Sequence, residues 1–415
     1  MSLTRGSVAL VVLILFVALV SSPSNAPLYF VMGLLVALLI VNVPYAKLAV
    51  RGLTVHREHA SHVKEGSEVT VRLHVTNRGR SGRALLRFFD EGPRAHRGKA
   101  VQLPMLPGLE TASVAYTCAS GRRGVYRFSR CAVESASPFG LVNARMRLPV
   151  QSELVVYPIY YELMGAMFPF QKTYSGMTAA PGARPGEGPS FFGLREYRHG
   201  DPIRKIHWPS TVRTRTVMVK EFEEDMHSSV TILLDTYGRS VVRTRGDSNL
   251  EVAVRVAASL ANYTLTNGHP TTLFHFDKDA DMVRKDRATG ELTPVLDALA
   301  RLEPGRMAPG ELLGLALGGE FRNSNCIAIL LSADREAMSE LLRIRARGIE
   351  VLAVVVDAAG PRVFEDEAEW LPSMAAMMDS AGIGMIVMAP DDDVQATLSR
   401  NLRSPKRTRY RACSF

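Results

Sequence analysis

Two apolar runs near the amino terminus constrain the fold of this chain most strongly. Residues 8–20 are apolar without interruption, and residues 28–43 are interrupted only by Gly33 and Asn42. Each run is close to the lower limit of about 17–25 residues for a helix that crosses a bilayer. The connector between them contains Pro23 and no charged residue. The sequence therefore predicts a transmembrane hairpin of two helices over residues 1–46.

The charges that flank these runs predict an orientation. Arg5 precedes the first run, and Lys47, Arg51 and Arg57 follow the second. Positive flanks stay on the cytoplasmic side, so we expect a two-pass protein of the inner (cytoplasmic) membrane with the bulk of the chain in the cytoplasm. The alternative is a signal peptide cleaved after residues 24–26, which leaves one helix with the same orientation.

Composition narrows the class of partner. A chain of 415 residues is long enough for two or three domains, and its net charge of +9 favours anionic partners. We expect no nucleic acid among them, because no zinc-finger, RNP-type or helix-turn-helix pattern accompanies the charge. The cysteines lack a C-x-x-C pair, which argues against zinc and indicates buried or inert thiols in a reducing compartment. They are Cys118, Cys131, Cys326 and Cys413.

Residues 47–160 read as an all-β domain. Val69, Val71, Leu73 and Val75 alternate with polar residues, which is typical of a half-buried strand. Further short runs at 84–89, 111–117, 125–133 and 154–157 are separated by Gly and Pro, and this spacing predicts a sandwich or small barrel. We expect the Ig-like sandwich. Three histidines spaced by three match no standard metal site and are expected to be solvated. They are His56, His59 and His62.

Residues 226–400 read as an α/β domain. Buried apolar strands are predicted at 230–234, 271–276, 326–331, 351–356 and 384–388, with helices between them. This alternation predicts a mostly parallel, doubly wound sheet, whose ligands bind beyond the carboxyl ends of the strands. Asp235, Asp334 and Asp357 are expected there. The domain contains no G-x-G-x-x-G or P-loop, so nucleotide binding is not expected.

An arm over residues 161–225 joins these domains and mixes basic with aromatic residues. Its candidate partner-binding residues are Arg195, Glu196, Tyr197, Asp201, Arg204, His207 and Trp208. Three interpretations remain open: a polar network that ties the arm to the α/β domain, a docking face, and a catalytic site. In the first, Asp201 pairs with Arg204 or Arg198 and Trp208 packs in the seam. No nucleophile–base–orienter set stands out, so no catalytic residue is predicted.

The arm carries a family resemblance. Its motifs are residues 192–197 (FGLREY), Gly200-Asp201-Pro202, Ile206-His207-Trp208 and residues 219–223 (VKEFE), preceded by residues 137–141 (SPFGL) and 156–158 (VYP). The chain resembles the bacterial family called domain of unknown function 58. The resemblance implies a von Willebrand factor A-like carboxy-terminal domain on a membrane anchor, and a MoxR-type AAA+ ATPase as partner.

Domains of the von Willebrand A type often hold Mg²⁺ with D-x-S-x-S after the first strand and an aspartate from a later loop. Here Asp235 matches the first position, while Tyr237 and Arg239 stand where the serines belong. Asp334 matches the later aspartate, and Ser240 is a further candidate. An arginine in this loop opposes a cation, so we expect a degenerate site without metal, and no cofactor.

Two functional hypotheses follow. The first is a membrane-anchored, non-catalytic interaction module that works with a MoxR-type AAA+ ATPase in protein assembly, maturation or envelope stress. The alternative is a hydrolase or other enzyme whose site lies between the arm and the α/β domain, with His207 acting beside Asp201 or Glu196. A basic tail over residues 401–415 is expected to be solvated or to contact anionic lipid.

Overall fold

The computed structural model divides the chain into two compact units, Met1–Ile159 and Tyr160–Phe415. It describes residues 2–20, 26–90, 100–136, 138–163, 185–198, 201–223, 229–243, 247–278, 282–318, 324–356, 375–389 and 391–402. Asp357, Cys413 and almost all of the basic tail lie outside the described residues, as does most of the connector between the two apolar runs.

Two apolar helices begin the first unit. Strand β1 (Ser2–Leu3) is followed by α1 (Arg5–Val20) and α2 (Ala26–Val50). Within the described residues, Pro27–Val50 is long and apolar enough to cross a membrane, with a mean hydropathy of 2.2, whereas α1 is shorter. Helix α2 continues through residue 50, so the predicted domain boundary after residue 46 falls inside the helix.

The remainder of the first unit is built from strands. They are β2 (Leu53–Glu58), β3 (His62–Lys64), β4 (Glu68–Asn77), β5 (Arg83–Asp90), β6 (Val101–Leu106), β7 (Thr111–Ala119), β8 (Gly124–Ser135) and β9 (Val142–Tyr157). One sheet has the order β2-β4-β7, and the other has the order β1-β9-β8-β5-β6, with β3 also paired to β9. The predicted runs at 69–75, 84–89, 111–117 and 125–133 all lie in these strands.

Both sheets contribute to one hydrophobic core. Val71 and Leu73 from β4 lie in the same cluster of buried side chains as Phe88 from β5 and Phe128 from β8. The alternation that predicts β4 is seen in its burial, because its apolar residues are buried while Thr70 and Arg72 are exposed. Two sheets that bury their facing sides in this way exclude water from about half of each strand's side chains.

A buried ion pair crosses this core. The Arg57 guanidinium on β2 forms a bidentate pair with the Asp90 carboxylate on β5, and both side chains are almost fully buried. Arg57 also donates to the Val150 carbonyl at 2.8 Å and lies over the Phe128 ring. The Tyr116 hydroxyl donates to Asp90 at 2.6 Å. The pair therefore links strands of both sheets, and its charges are compensated by several hydrogen bonds.

Replacing Arg57 by Met should destabilise the first unit by about 3–5 kcal/mol, because the Asp90 carboxylate would be left buried without its cation. The readout is labelling of the buried Cys131 thiol against urea concentration in the detergent-solubilised protein. The double variant Arg57→Met/Asp90→Leu removes both charges and should recover part of this loss. Equal losses in the single and double variants would contradict a stabilising pair.

The second unit begins with the arm and continues into an α/β sheet. The arm contains β10 (Pro185–Glu196), α3 (Trp208–Thr214) and β11 (Met218–Glu223). The elements that follow are β12 (Ser229–Leu234), α4 (Asn249–Thr266), β13 (Thr271–Asp277), β14 (Met282–Ala288), α5 (Thr293–Arg301), α6 (Pro309–Leu317), β15 (Ser324–Leu330), α7 (Arg335–Ala346), β16 (Val351–Val356), β17 (Gly384–Met388) and α8 (Val394–Leu402).

The α/β sheet has the order β14-β13-β12-β15-β16-β17, and only β14 runs antiparallel to its neighbour. The mostly parallel sheet that the sequence predicts is thus observed, with one antiparallel edge strand that the apolar pattern missed. The Ser248 hydroxyl accepts the Glu251 N–H and so caps the start of α4. The chain order reverses between β12 and β15, and such a position is where α/β sheets place ligand sites.

Candidate functional site: the arm and the carboxyl edge of the α/β sheet

The arm is an irregular hairpin that carries a short helix. Strands β10 and β11 pair antiparallel, with register shifts around Phe191. The chain between them forms a 3₁₀ turn at Ile203–Lys205 and then α3. Helix α3 ends because Arg215 adopts a left-handed conformation with φ of 59°. This turn returns the chain to β11.

A bidentate ion pair closes the turn after β10. The two Nη atoms of Arg195 donate to the two carboxylate oxygens of Asp201 at 2.6 and 2.7 Å, and the Arg198 N–H donates to the same carboxylate at 2.8 Å. These bonds lower the pKa of Asp201 to about 2, with the Arg195 hydrogen bonds as the main cause. The predicted partners of Asp201 were Arg204 or Arg198. The structure corrects this, because Arg195 supplies the paired cation, whereas Arg198 binds Asp201 through its backbone N–H and adds only the weaker effect of its charge.

His207 has a different set of partners. The Nδ1 atom of its ring lies 2.8 Å from the Ser210 hydroxyl, and its backbone N–H donates to the Met218 carbonyl at 2.7 Å. Thr211 completes the tie, since its hydroxyl donates to the His207 carbonyl and accepts the Met218 N–H. Among the hydrogen bonds of the described residues, those of His207 and Asp201 therefore go to different groups. These bonds fix the start of α3 on β11.

Five large apolar side chains in the described part of the arm are exposed. Ile203, Trp208 and Val212 are 72%, 61% and 78% exposed, and Tyr197 and Val217 are also exposed. Trp208 and Val212 are four residues apart on α3 and share one face of the helix. The expectation that Trp208 packs in a seam is therefore wrong. We call these five side chains the arm face.

Basic residues are also exposed on this stretch of the arm. Arg198, Arg204, Arg213 and Arg215 are exposed, whereas Glu196 is an exposed acidic residue of this stretch. Arg195 is neutralised by Asp201, so the remaining charge is strongly positive. Of the seven predicted partner-binding residues, the structure brings Tyr197 and Trp208 into the arm face and Arg204 to its rim. Arg195, Asp201 and His207 make bonds that hold the arm's shape, and Glu196 is exposed.

A buried carboxylate lies at the carboxyl edge of the sheet. Asp235 follows β12 directly and is fully buried. One of its oxygens accepts the Tyr237 N–H at 2.8 Å, and the other accepts the Leu331 N–H at 3.1 Å across the point where the chain order reverses. Burial raises the pKa of Asp235 to about 6, although the two backbone N–H groups oppose this shift.

Asn249 ties the same loops and was missed by sequence reasoning. Its side-chain N–H group donates to the carbonyls of Ser240 at 2.7 Å and Leu331 at 3.1 Å, and its oxygen accepts the Val242 N–H at 2.9 Å. Asn249 is fully buried at the first position of α4. The signal that sequence reasoning could have used is an asparagine directly after the Ser248 cap.

The other candidate metal ligands are engaged within the protein. The Ser240 hydroxyl accepts from the Ser332 hydroxyl at 3.3 Å, and the Asp334 carboxylate accepts the Ala337 N–H at 3.0 Å as the cap of α7. Across the described parts of the chain, no group of three or more His, Cys, Asp or Glu side chains is placed to hold a metal ion. Asp235 therefore acts as a clamp on two loops in this arrangement.

Gly305 allows a third loop to approach this edge. Its N–H donates to the Thr236 carbonyl at 2.7 Å, and its carbonyl accepts the Gly238 N–H at 2.8 Å. A Cβ atom at this position would lie 2.4 Å from Cδ1 of the Phe276 ring. Only glycine fits such an approach, so the loop around Thr236 is held from two sides.

The comparisons with known proteins agree with the motif resemblance over part of the chain. The family model described as "Protein of unknown function DUF58" matches residues 193–364, which confirms the resemblance over that stretch. The uncharacterized protein YeaD of Bacillus subtilis is 22% identical over 186 residues, covering 45% of this chain. The match spans 44% of that protein, less than half of its length.

Likeness to solved structures is weak. The CARDB domain of a Pyrococcus furiosus protein is 16% identical, with a TM-score of 0.20, and covers 25% of this chain and 94% of its own. The exo-β-N-acetylglucosaminidase of Vibrio harveyi is 10% identical, with a TM-score of 0.20, and covers 85% of this chain and 74% of its own. TM-scores this low support no argument about fold or function.

The stability of the α/β sheet should depend on pH through Asp235. Its folded pKa of about 6 lies above the usual value near 4, so its contribution favours folding at low pH and is lost as the pH rises through 6. The unfolding free energy of the native protein relative to Asp235→Asn should therefore fall by about 2–3 kcal/mol between about pH 4 and about pH 7.

Labelling of the buried Cys326 thiol on β15 in urea measures this difference. The matched control is Asp379→Asn at an exposed position, which should follow the native protein at every pH. A constant difference between native and Asp235→Asn protein over this range would contradict a raised pKa at Asp235.

Proposed function

We propose that this chain is a membrane-anchored, non-catalytic interaction module whose arm face docks a cytoplasmic protein partner. The observation that carries the proposal is the exposure of Ile203, Trp208 and Val212 within one short segment of the arm. Contiguous exposed apolar side chains rimmed by polar groups are typical of protein interaction sites. Tryptophan and tyrosine are also among the residues that most often dominate binding energies.

The proposed partner is a MoxR-type AAA+ ATPase, acting with this chain in assembly or maturation of another protein or in envelope stress. The motifs of the arm support this choice, because the resemblance they carry implies such a pairing. The exposed arginines around the arm face favour an acidic surface on the partner. The low pKa of Asp201 keeps its ion pair with Arg195 formed at every physiological pH, so the face is present before binding.

The membrane part of the proposal places the chain in the inner membrane with two passes, α1 and α2, and places the strands of the first unit and the whole second unit in the cytoplasm. Helix α2 supports one crossing by its length and apolar composition. The apolar helix α1 precedes it, and Arg5 and Lys47 flank the pair. Basic residues on both outer flanks favour the cytoplasmic side.

We further propose that the first unit is an Ig-like sandwich and the α/β sheet is of the von Willebrand A type. For the first unit, two sheets around a common core support the assignment. For the second, support comes from the strand order with an antiparallel edge strand and from Asp235 directly after β12. In this assignment Asp235 occupies the position of an aspartate that usually binds a metal, but here its carboxylate links the loop after β12 to the end of β15.

The double variant Trp208→Ser/Val212→Ser should weaken binding of the MoxR-type ATPase by at least about 30-fold, as expected for a central aromatic anchor and its neighbour. Both side chains are already exposed, so their loss removes binding area without opening a core. The measurement is interferometry with the full chain immobilised in detergent and the ATPase, with ATP, in solution.

Leu315→Ser/Met377→Ser is the matched control, because these apolar side chains are also exposed in the second unit but lie outside the arm. The control should bind like the native protein. Equal binding by native and arm variants would exclude the arm face as the docking surface, and no binding by the native chain would exclude this partner.

A fluorescent protein fused after Phe415 should fluoresce, and alkaline phosphatase fused at the same position should be inactive, because the proposed topology leaves the carboxyl terminus in the cytoplasm. The test uses membranes from cells that express each fusion at equal levels. Active phosphatase with a dark fluorescent protein would overturn the proposed topology.

A further inference from the structure

Both apolar helices connect to the strands of the first unit at the same end of the sheets. The Arg78 N–H donates to the Gly52 carbonyl at 2.8 Å, just beyond the last residue of α2. The Thr4 hydroxyl, just before α1, donates to the Gly140 carbonyl at 2.7 Å. The strand pairs Leu53↔Asn77 and Leu3↔Val142 place these contacts at one end of both sheets. We call the three loops there, residues 78–82, 107–110 and 138–141, the tip loops.

Two of the tip loops are locked to each other. The Leu109 N–H donates to the Gly79 carbonyl at 3.0 Å, and the Asn77 side chain donates to the carbonyls of Ser81 and Pro107. A Cβ atom on Gly108 would lie 2.0 Å from the Arg80 carbonyl oxygen, so the loops touch through their backbones. The end of the unit therefore presents a fixed surface.

This fixed surface exposes large apolar side chains. Met105, Leu109 and Phe139 are 65%, 69% and 59% exposed, and Leu85 is also exposed. Leu109 is held at a φ of 62°, a left-handed conformation that is unfavourable for a branched apolar residue. Among the described strands and loops of this unit, the other exposed large apolar side chain is Met146 on β9, and the opposite end shows none.

The charge around the tip loops is positive. Arg5, Arg51, Arg78 and Arg80 are exposed at this end, while Glu110 is the acidic residue of the tip loops. Arg83 lies among them and donates to the Ser81 hydroxyl and the Arg51 carbonyl. Exposed apolar side chains among basic ones match the interface of a bilayer with anionic lipids, where the chains enter the headgroup region and the cations pair with phosphates.

The end of α2 sets the depth of this surface. Ala46 and Val50 are buried against the strands, while Tyr45 and Leu48 on the same turns are exposed. The part of α2 before Tyr45 covers about 28 Å, which is close to the hydrocarbon thickness of a bilayer. The boundary of the membrane therefore falls near Lys47, within a few residues of the tip loops.

We propose that the tip loops lie in the interface of the membrane that α2 crosses, with Leu109 and Phe139 inserted among acyl chains and Arg78 and Arg80 bound to anionic lipid phosphates. This inference rests on the membrane anchoring proposed above. It assigns the first unit a lipid-binding surface, separate from the arm face. It also fixes the orientation of both sheets relative to the bilayer, because the apolar surface and the helices lie at one end.

The test uses the full chain with Cys413→Ser in liposomes of phosphatidylcholine and phosphatidylglycerol. Single cysteines at Leu109 or Phe139 carry an environment-sensitive fluorophore, and lipids spin-labelled near the headgroup quench it. Glu68→Cys is the control at the opposite end, about 30 Å away along β4. Val36→Cys within α2, measured with lipids spin-labelled near the end of the acyl chain, reports whether the helix is inserted. The Cys413→Ser protein without an added cysteine shows how much the fluorophore labels the buried native thiols.

Quenching at Leu109 and Phe139 should be several-fold stronger than at Glu68, with a blue-shifted emission. Adding Arg78→Glu/Arg80→Glu should weaken quenching at Leu109 in the anionic liposomes and change little in pure phosphatidylcholine. Quenching at Val36 combined with solvent-like signals at Leu109 and Phe139 would overturn this inference but not the membrane anchoring. The tip loops would then be expected to bind a protein or a second copy of this chain. Absence of quenching at Val36 would instead overturn the proposed membrane anchoring, and this inference with it.

Discussion

The ion pair between Arg195 and Asp201 fixes the shape of the arm, and the proposed docking surface depends on it. Both oxygens of Asp201 are bound by one guanidinium, and the Arg198 N–H closes the turn. A bidentate pair of this kind specifies geometry as well as adding energy. Because the turn is closed, the 3₁₀ segment and α3 project Ile203 and Trp208 outward instead of burying them. Asp201 and His207, which could also take part in acid–base chemistry, thus make hydrogen bonds that hold the shape of the arm.

Polar groups are used in the same way elsewhere in the chain. In the first unit, Arg57 and Asp90 satisfy each other inside the core, and in the second, Asp235 and Asn249 hold the loops at the carboxyl edge. These side chains point at backbone groups or at each other. The exposed apolar side chains are the contrasting feature, because nothing in the described structure covers those of the arm face or the tip loops.

Much of the α/β sheet was predictable because its strands are buried apolar runs, and two of its helices, α4 and α7, begin at side-chain caps. Strands β16 and β17 lie at the predicted residues, whereas the charged edge strand β14 has no apolar pattern to find. In the arm, the sequence indicates which residues matter but not their arrangement. Several arginines lie within reach of Asp201, and whether Trp208 is buried depends on tertiary contacts that periodicity does not contain.

The most direct test of the account replaces Val212 with a photo-cross-linking benzophenone amino acid in living cells, with Leu315 replaced as the matched position. Both side chains are exposed in the second unit, but only Val212 belongs to the arm face. The account predicts an adduct with a MoxR-type AAA+ ATPase from Val212 and none from Leu315. Equal adducts at both positions, or a Val212 protein that forms no adduct with such an ATPase, would contradict it.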